Sequence, residues 1–305
     1  MESRRGSGLT HHDASTLAKP AGHQELRLLT RSAAGILGAR HLATLWKGVD
    51  IVGDIAILKL PDELEAESGR IAKRLLGLAP YLKVVLKQVG PVESPYRTRK
   101  LEWVAGENRT ETVHREFGCQ YRVDLKTTYF SPRLGHERRR VASLVSAGEC
   151  VLNFFAGVGS FSIMIARHAR PSRIYSLDLN TSAVRYHALN NALNGVRERI
   201  DLICGDATRI ASTSLAGCAN RVLLPLPDLA LDSLAAAKST LVNGHGVVHC
   251  YVFVESDSRP EAGNDALQKS TMALERMQAI REKTRTRVVR SVGPRRYQVC
   301  LDICV

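Results

Sequence analysis

The chain has no long hydrophobic run; none of its apolar stretches reaches the roughly 20 residues that a membrane-spanning helix needs. Its first 45 residues are basic and lack the apolar core of a secretory signal. Their Arg, Ser and Ala content resembles a transit peptide, but Glu2, Asp13 and Glu25 run against that reading. No membrane is expected as a partner, and the expected location is cytoplasmic. Cys-x-x-Cys pairs are absent among the 7 Cys, and the 10 His show no metal-ligand spacing with them. An odd number of cysteines, most in apolar strand-like runs, fits buried thiols in a reducing compartment better than disulfides or zinc. No metal is expected. Internal repeats and low-complexity tracts are absent too. Acidic residues are the scarcer charge: 30 Asp+Glu against 43 Lys+Arg leave a net +13. That excess favours a polyanionic partner; the bland alternative is a solvated basic surface.

At 305 residues and 44% hydrophobic, the chain suits about two domains with ample core. The most informative stretch is 151–162, Val-Leu-Asn-Phe-Phe-Ala-Gly-Val-Gly-Ser-Phe-Ser. An apolar run ends in a small-residue turn and an amphipathic segment follows at once. This reads as strand, glycine turn, helix, the unit that lets a ligand approach backbone N–H groups at a helix N-terminus. The dinucleotide fingerprint needs a third glycine where Ser162 stands, so a nicotinamide site is disfavoured. The next strand, 173–179, carries Asp178 at its end, placed to accept ribose hydroxyls. A third apolar run, 200–204, leads into Gly205-Asp206, and a fourth, 221–224, ends in Pro225-Leu226-Pro227. In a parallel sheet these ends line one edge, where ligands bind. The pattern is that of an α/β, class I (Rossmann-like) S-adenosylmethionine-dependent methyltransferase, with Asp206 near the adenine amino group.

Three parts follow along the chain. Residues 1–44 read as a tail or partial domain, with a helix over 25–45. Residues 45–142 form a smaller α/β domain that precedes the methyltransferase domain. It begins with one strand over 49–58, a helix over 63–76, a strand over 83–87, a polar basic segment over 89–112 and a strand over 121–125. Residues 143–305 form the methyltransferase domain. A basic helix over 137–145 leads into it, a helix over 181–194 ends at Gly195, a fifth strand spans 246–254, and an antiparallel hairpin with a turn at Pro294 closes the chain.

The middle segment carries a resemblance. Glu93-Ser-Pro-Tyr-Arg-Thr-Arg-Lys-Leu-Glu102, Ala105-Gly-Glu-Asn-Arg-Thr-Glu and Tyr129-Phe-Ser-Pro-Arg-Leu-Gly-His-Glu-Arg138, followed by Asn153-Phe-Phe-Ala-Gly-Val-Gly159, closely resemble the archaeal and eukaryotic tRNA (guanine-37-N1)-methyltransferases and their wyosine-pathway relatives. The resemblance runs from about residue 47 to the C-terminus. It implies S-adenosylmethionine as cofactor, tRNA at its anticodon stem-loop as partner, and a monomer. It also implies a cofactor set of Asn153, Phe155, Gly157, Gly159, Asp178 and Asp206. Methylation at guanine N1 requires removal of the N1 proton, and negative charge then develops on O6. A carboxylate and a guanidinium meet those needs. By resemblance Glu137 is the base, Arg97 the O6 stabiliser, Tyr129 packs beside the target base, and Arg133, Pro225 and Pro227 contact substrate. Each has a plain alternative: Glu137 complements a helix dipole, Arg97 belongs to an RNA-facing patch, Tyr129 is core, and Arg133 braces its loop.

The chain departs from the family pattern at two places. Asn153 stands where members usually carry Asp, and keeps a hydrogen bond to the methionine ammonium but no charge pairing. Pro225 stands where members carry the Asn of Asn-Leu-Pro, and proline has no N–H with which to read a guanine edge. The target is therefore guanine N1, or a wyosine precursor that takes a methyl group at C7 or an aminocarboxypropyl group. The third reading is an inactive tRNA-binding relative. The charge balance makes tRNA affinity fall steeply with salt through counterion release. A nearly flat salt response in a filter-binding titration would remove the nucleic-acid reading.

Overall fold

The computed structural model describes residues 22–44, 49–93, 96–279 and 283–305. The expectation for residues 1–21 lies outside them. The region read as one helix over 25–45 is two: α1 (Gly22–Ala33) and α2 (Ala39–Thr44). Gly35 between them has φ +77°, which a right-handed helix cannot continue through. The stretch read as one strand over 49–58 is a tight hairpin of β1 (Val49–Val52) and β2 (Ile55–Leu58), with Val49 opposite Leu58. Gly53 makes its turn at φ +57°; a Cβ there would fall 2.2 Å from the Thr112 hydroxyl. The apolar pattern runs on through the turn, so alternation alone hides it.

A 3-10 turn over Asp62–Glu67 feeds α3 (Ser68–Leu78), which buries Ile71, Ala72 and Leu75. The polar segment over 89–112 is mostly extended. β3 (Val84–Glu93) and β4 (Thr98–Gly106) form a long antiparallel pair, completing a four-stranded sheet in the order β1-β2-β3-β4. β5 (Glu111–Glu116) and β6 (Cys119–Asp124) form a separate two-stranded ribbon.

The rest of the chain alternates strand and helix: α4 (Gly135–Leu144), β7 (Cys150–Asn153), α5 (Ser160–His168), β8 (Arg173–Asp178), α6 (Thr181–Leu193), β9 (Ile200–Cys204), α7 (Ala207–Ser214), β10 (Arg221–Leu224), α8 (Leu234–Thr240), β11 (Val247–Glu255) and α9 (Ala262–Arg276). The expected terminal hairpin is present as β12 (Arg285–Gly293) and β13 (Arg296–Cys304). The seven strands order β12-β13-β11-β10-β7-β8-β9. β9, β8, β7, β10 and β11 run parallel, and β13 enters antiparallel against β11. The order in which the chain adds strands reverses between β7 and β10, the crevice where such sheets bind ligands.

Side chains of α6 and of its C-terminal cap tie the ribbon to this sheet. Asn190 and Asn194, one turn apart, bond both N–H and C=O of Arg122 and Gln120 on β6 at 2.6–3.0 Å. The two carboxamides satisfy the ribbon's exposed edge as a neighbouring strand would. One apolar core then runs from Val52 and Ile57 through Tyr121 and Phe130 to Phe161 and Tyr251. Of the cysteines, 119, 250 and 300 are buried, whereas Cys204 is exposed at the end of β9. No helix among the described residues is long and apolar enough to cross a membrane.

His187 of α6 is fully enclosed, and neither ring nitrogen has a hydrogen-bond partner among the described residues. Burial alone drives its pKa down to about 3. The folded pKa lies below the unfolded one, so the contribution to stability is complete above pH ~6.5 and is lost as pH falls toward 3. Chemical denaturation of His187→Leu against wild type between pH 7 and 4 isolates this one proton. The expected difference in slope approaches ~1.4 kcal/mol per pH unit.

Candidate active site

The glycine turn after β7 sets three residues in left-handed conformations: Phe155 (φ +55°), Gly157 (+57°) and Gly159 (+87°). A Cβ at Gly157 would meet nothing within 4 Å, so the backbone there is open to an incoming ligand. At Gly159 a Cβ would fall 2.3 Å from the His187 ring, so that glycine serves helix packing. Asp178, at the end of β8, latches the turn: Gly157 N–H donates to one carboxylate oxygen at 2.7 Å and Asn180 N–H to the other at 2.9 Å. Burial raises the Asp178 pKa and those two donors oppose the rise. Each oxygen keeps a lone pair for a ligand hydroxyl. Asp206 caps α7, accepting from Thr208 N–H at 2.9 Å and Arg209 N–H at 3.1 Å. Gly157, Asp178 and Asp206 all line one cavity of about 470 Å³.

The other end of that cavity is built by distant segments. Arg97 enters from the turn before β4 with φ +55°, a strained setting for a side chain of this size. One guanidinium nitrogen donates to Asp228 at 2.8 Å. The guanidinium carbon lies 5.4 Å from the Tyr129 ring centre and 5.2 Å from that of Phe253. Its Nε is buried without a partner among the described residues. Tyr129 borders the cavity, and its hydroxyl accepts from Arg290 at 3.2 Å. Pro225 and Pro227, beyond β10, supply an apolar wall with Leu226.

The fold thus brings Arg97, Tyr129, Phe155, Gly157, Asp178, Asp206, Pro225 and Pro227 to one cavity. Four expected site residues stand elsewhere. Glu137 does not border the cavity: Arg140 grips both its oxygens at 2.6 and 2.9 Å, Tyr251 donates to it at 2.8 Å, and Arg287 lies 3.3 Å away. Arg133 pairs with buried Asp50 at 2.6 Å, alongside Lys59 and Arg99, so it braces its loop. Asn153 is fully buried and donates to Ser162, which bonds Ser176; it packs between sheet and α5 instead of facing the cavity. Gly159 sits behind the turn, against His187. Sequence reading missed Arg290 and Gln298, because they sit in a terminal hairpin read only as a closing pair of strands. A register shift between Val288 and Arg290 accompanies the inward placement of Arg290. His249, Cys300 and Asp302 also cluster, but Arg140 and Arg221 donate into that group, a setting that repels a cation.

The strand order, the glycine turn and the acids at the adjoining strand ends define a Rossmann-like, class I methyltransferase fold. The chain belongs to the TRM5/TYW2 methyltransferase family: the TRM5/TYW2 methyltransferase domain matches residues 112–284, and the TYW2 N-terminal domain matches residues 29–110. It is 35% identical over 256 residues to the tRNA (guanine(37)-N(1))-methyltransferase Trm5b of Pyrococcus abyssi, covering 84% of this chain and 74% of the relative. It is 36% identical over 261 residues to the tRNA 4-demethylwyosine(37)-methyltransferase Taw21 of Saccharolobus solfataricus, covering 85% and 94%. Among solved structures, the complex of aTrm5 and tRNALeu matches with a TM-score of 0.71 and 33% identity, covering 84% of this chain and 71% of that one.

Arg138 holds the Arg97 and Tyr129 end of the cavity in place. Only 1% exposed, it forks onto Glu116 of β5 at 2.6 and 2.7 Å and donates to the Ser131 carbonyl at 3.2 Å. Burial raises the Glu116 pKa, but His114 and Arg138 outweigh it and the net shift is downward. Removing one partner leaves a buried charge alone. Arg138→Met is expected to cost roughly 3–5 kcal/mol in urea unfolding. A loss under ~1 kcal/mol would show that the pair does not anchor the 128–131 segment.

Proposed function

We propose that the chain is an S-adenosylmethionine-dependent methyltransferase that modifies guanine 37 of tRNA at N1. The observation that carries this is the single cavity with a cofactor-type end at Gly157, Asp178 and Asp206 and a base-type end at Arg97 and Tyr129. The open Cβ position at Gly157 and the spare lone pairs on Asp178 suit a nucleoside and its ribose. S-adenosylmethionine, when bound, supplies an electrophilic methyl group on a sulfonium. The family membership and the relatives' names point to tRNA as substrate and to nucleotide 37 as the site.

The chain's own residues supply the rest. An anticodon-loop base must leave its stack to reach an enclosed pocket. Tyr129 and Pro227 offer it apolar faces, and Arg97 offers a buried, uncommitted Nε–H for O6. By the family resemblance Glu137 takes the N1 proton, and acting as base requires its release from Arg140, Tyr251 and Arg287, which hold it outside the cavity. The N1 lone pair is then the nucleophile, and Arg97 holds the charge that moves onto O6. Residues 45–142 present Arg97 and Tyr129, residues 143–305 form the cofactor end, and the chain works as a monomer in the cytoplasm on the anticodon stem-loop.

A second reading has its own support. Pro225 brings no donor to the base end, and the Taw21 relative matches over 94% of its length. In that reading the substrate is a tricyclic wyosine precursor at the same position. Nucleoside mass spectrometry after incubation with labelled cofactor separates the two. Label in 1-methylguanosine from an unmodified tRNA transcript supports the first reading. Label only in precursor-bearing tRNA supports the second, and label in neither overturns both. Glu137→Gln is expected to slow single-turnover transfer by roughly 10²–10⁴ while tRNA affinity holds. A wild-type rate in that variant would reject the base assignment.

A further inference from the structure

Deprotonating guanine N1 spreads charge onto O6, so the base end of the cavity needs donors directed at that oxygen. Arg97 Nε–H is one. The cavity wall contains a second group whose proton has no acceptor. Arg290 Nη2 donates to the Tyr129 hydroxyl oxygen at 3.2 Å, its Nη1 donates to Ser131 Oγ at 2.8 Å, and its Nε donates to Gln298 Oε1 at 2.8 Å. A guanidinium only donates, so Arg290 occupies a lone pair on the phenol and leaves the O–H to point elsewhere. Among the described residues nothing accepts that O–H. Tyr129 borders the cavity, and the Arg97 guanidinium lies over its ring.

We infer that the Tyr129 hydroxyl is a second hydrogen-bond donor to O6 of the target base, and that Arg290 is the positioning residue that orients it. Arg290 is pinned from three sides by side chains of β13 and the 129–131 segment, so the phenol has one free direction. The electrostatics agree. Burial raises the Tyr129 pKa, but Arg290 and Arg97 lower it further, and the net shift is downward. A more acidic phenol is a stronger donor to a developing oxyanion. This supplies from the terminal hairpin and Tyr129 a donor that Pro225 does not provide. The inference rests on the guanine-N1 reading.

The test is single-turnover transfer to an unmodified tRNA transcript, with cofactor binding and thermal midpoint measured beside it. Tyr129→Phe keeps the ring and is expected to slow transfer roughly 10²-fold with cofactor affinity unchanged. Arg290→Gln should lose nearly as much, and the double variant should be no slower than Tyr129→Phe alone, because Arg290 acts through the phenol. Arg290→Lys should recover part of the rate. In tyrosine-ring NMR, Arg290→Gln should raise the pH at which Tyr129 ionises. A wild-type rate in Tyr129→Phe, additive losses in the double variant, or an unmoved Tyr129 titration would each overturn the inference. If wild type itself methylates no guanosine, the functional reading fails. If wild type is active and Tyr129→Phe equals it, only this inference fails.

Discussion

The buried fork between Arg138 and Glu116 is the interaction on which the base end of the cavity depends. It joins three parts of the chain that share no strand pairing: the ribbon at β5, the 129–131 segment and α4. Two bonds to one carboxylate fix the guanidinium plane, and its remaining reach holds the Ser131 carbonyl. The Arg138 guanidinium also lies 5.1 Å from the Phe130 ring centre. The loop that carries Tyr129 therefore has little freedom. A charge pair this deep contributes little net stability against an apolar replacement, but it penalises any arrangement that separates the partners. Here that penalty keeps an aromatic wall in register with a cofactor-type edge whose residues, Gly157, Asp178 and Asp206, lie 28 to 77 residues after Tyr129.

The two ends of the cavity are organised by opposite electrostatics. At the parallel-sheet edge, carboxylates accept backbone N–H groups. Asp178 clamps the glycine turn and Asp206 caps a helix, and each keeps capacity for a polar ligand. At the base end, guanidinium groups dominate. Arg97 is sandwiched between two rings and tethered by Asp228, and Arg290 is bonded on three sides. A neutral, hydroxyl-rich group suits the first end, and a base that becomes anionic suits the second. Behind this wall a chain of buried charges runs from Glu149 through Arg221, His249, Asp302 and Arg140 to Glu137. Arg221 donates to His249 Nε2, so the ring's own proton sits on Nδ1 and faces Asp302, consistent with the lowering of the His249 pKa by burial.

Much of this was legible in the chain itself. Period-2 apolar runs, a glycine turn and acids at strand ends gave the parallel sheet and the positions of Gly157, Asp178 and Asp206, because a strand's end and the residue after it are local facts. The tight turn at Gly53 and the helix break at Gly35 were not read, because hydrophobic periodicity continues across both and only φ departs from it. Glu137 and Arg133 have partners that lie far away: besides Arg140 one turn along its helix, Glu137 is held by Tyr251 at a separation of 114 residues, and Arg133 pairs with Asp50. Arg290 looked like one of many surface cations, until a register irregularity and the packing of Tyr129 and Gln298 gave it an inward role. Sequence alone therefore determined the fold class, the basic charge and the strand-end chemistry, since these depend on spacing and composition. Only tertiary structure decided which charges meet the cavity and which are spent on one another, because a side chain's partner is set by long-range packing that no local pattern encodes.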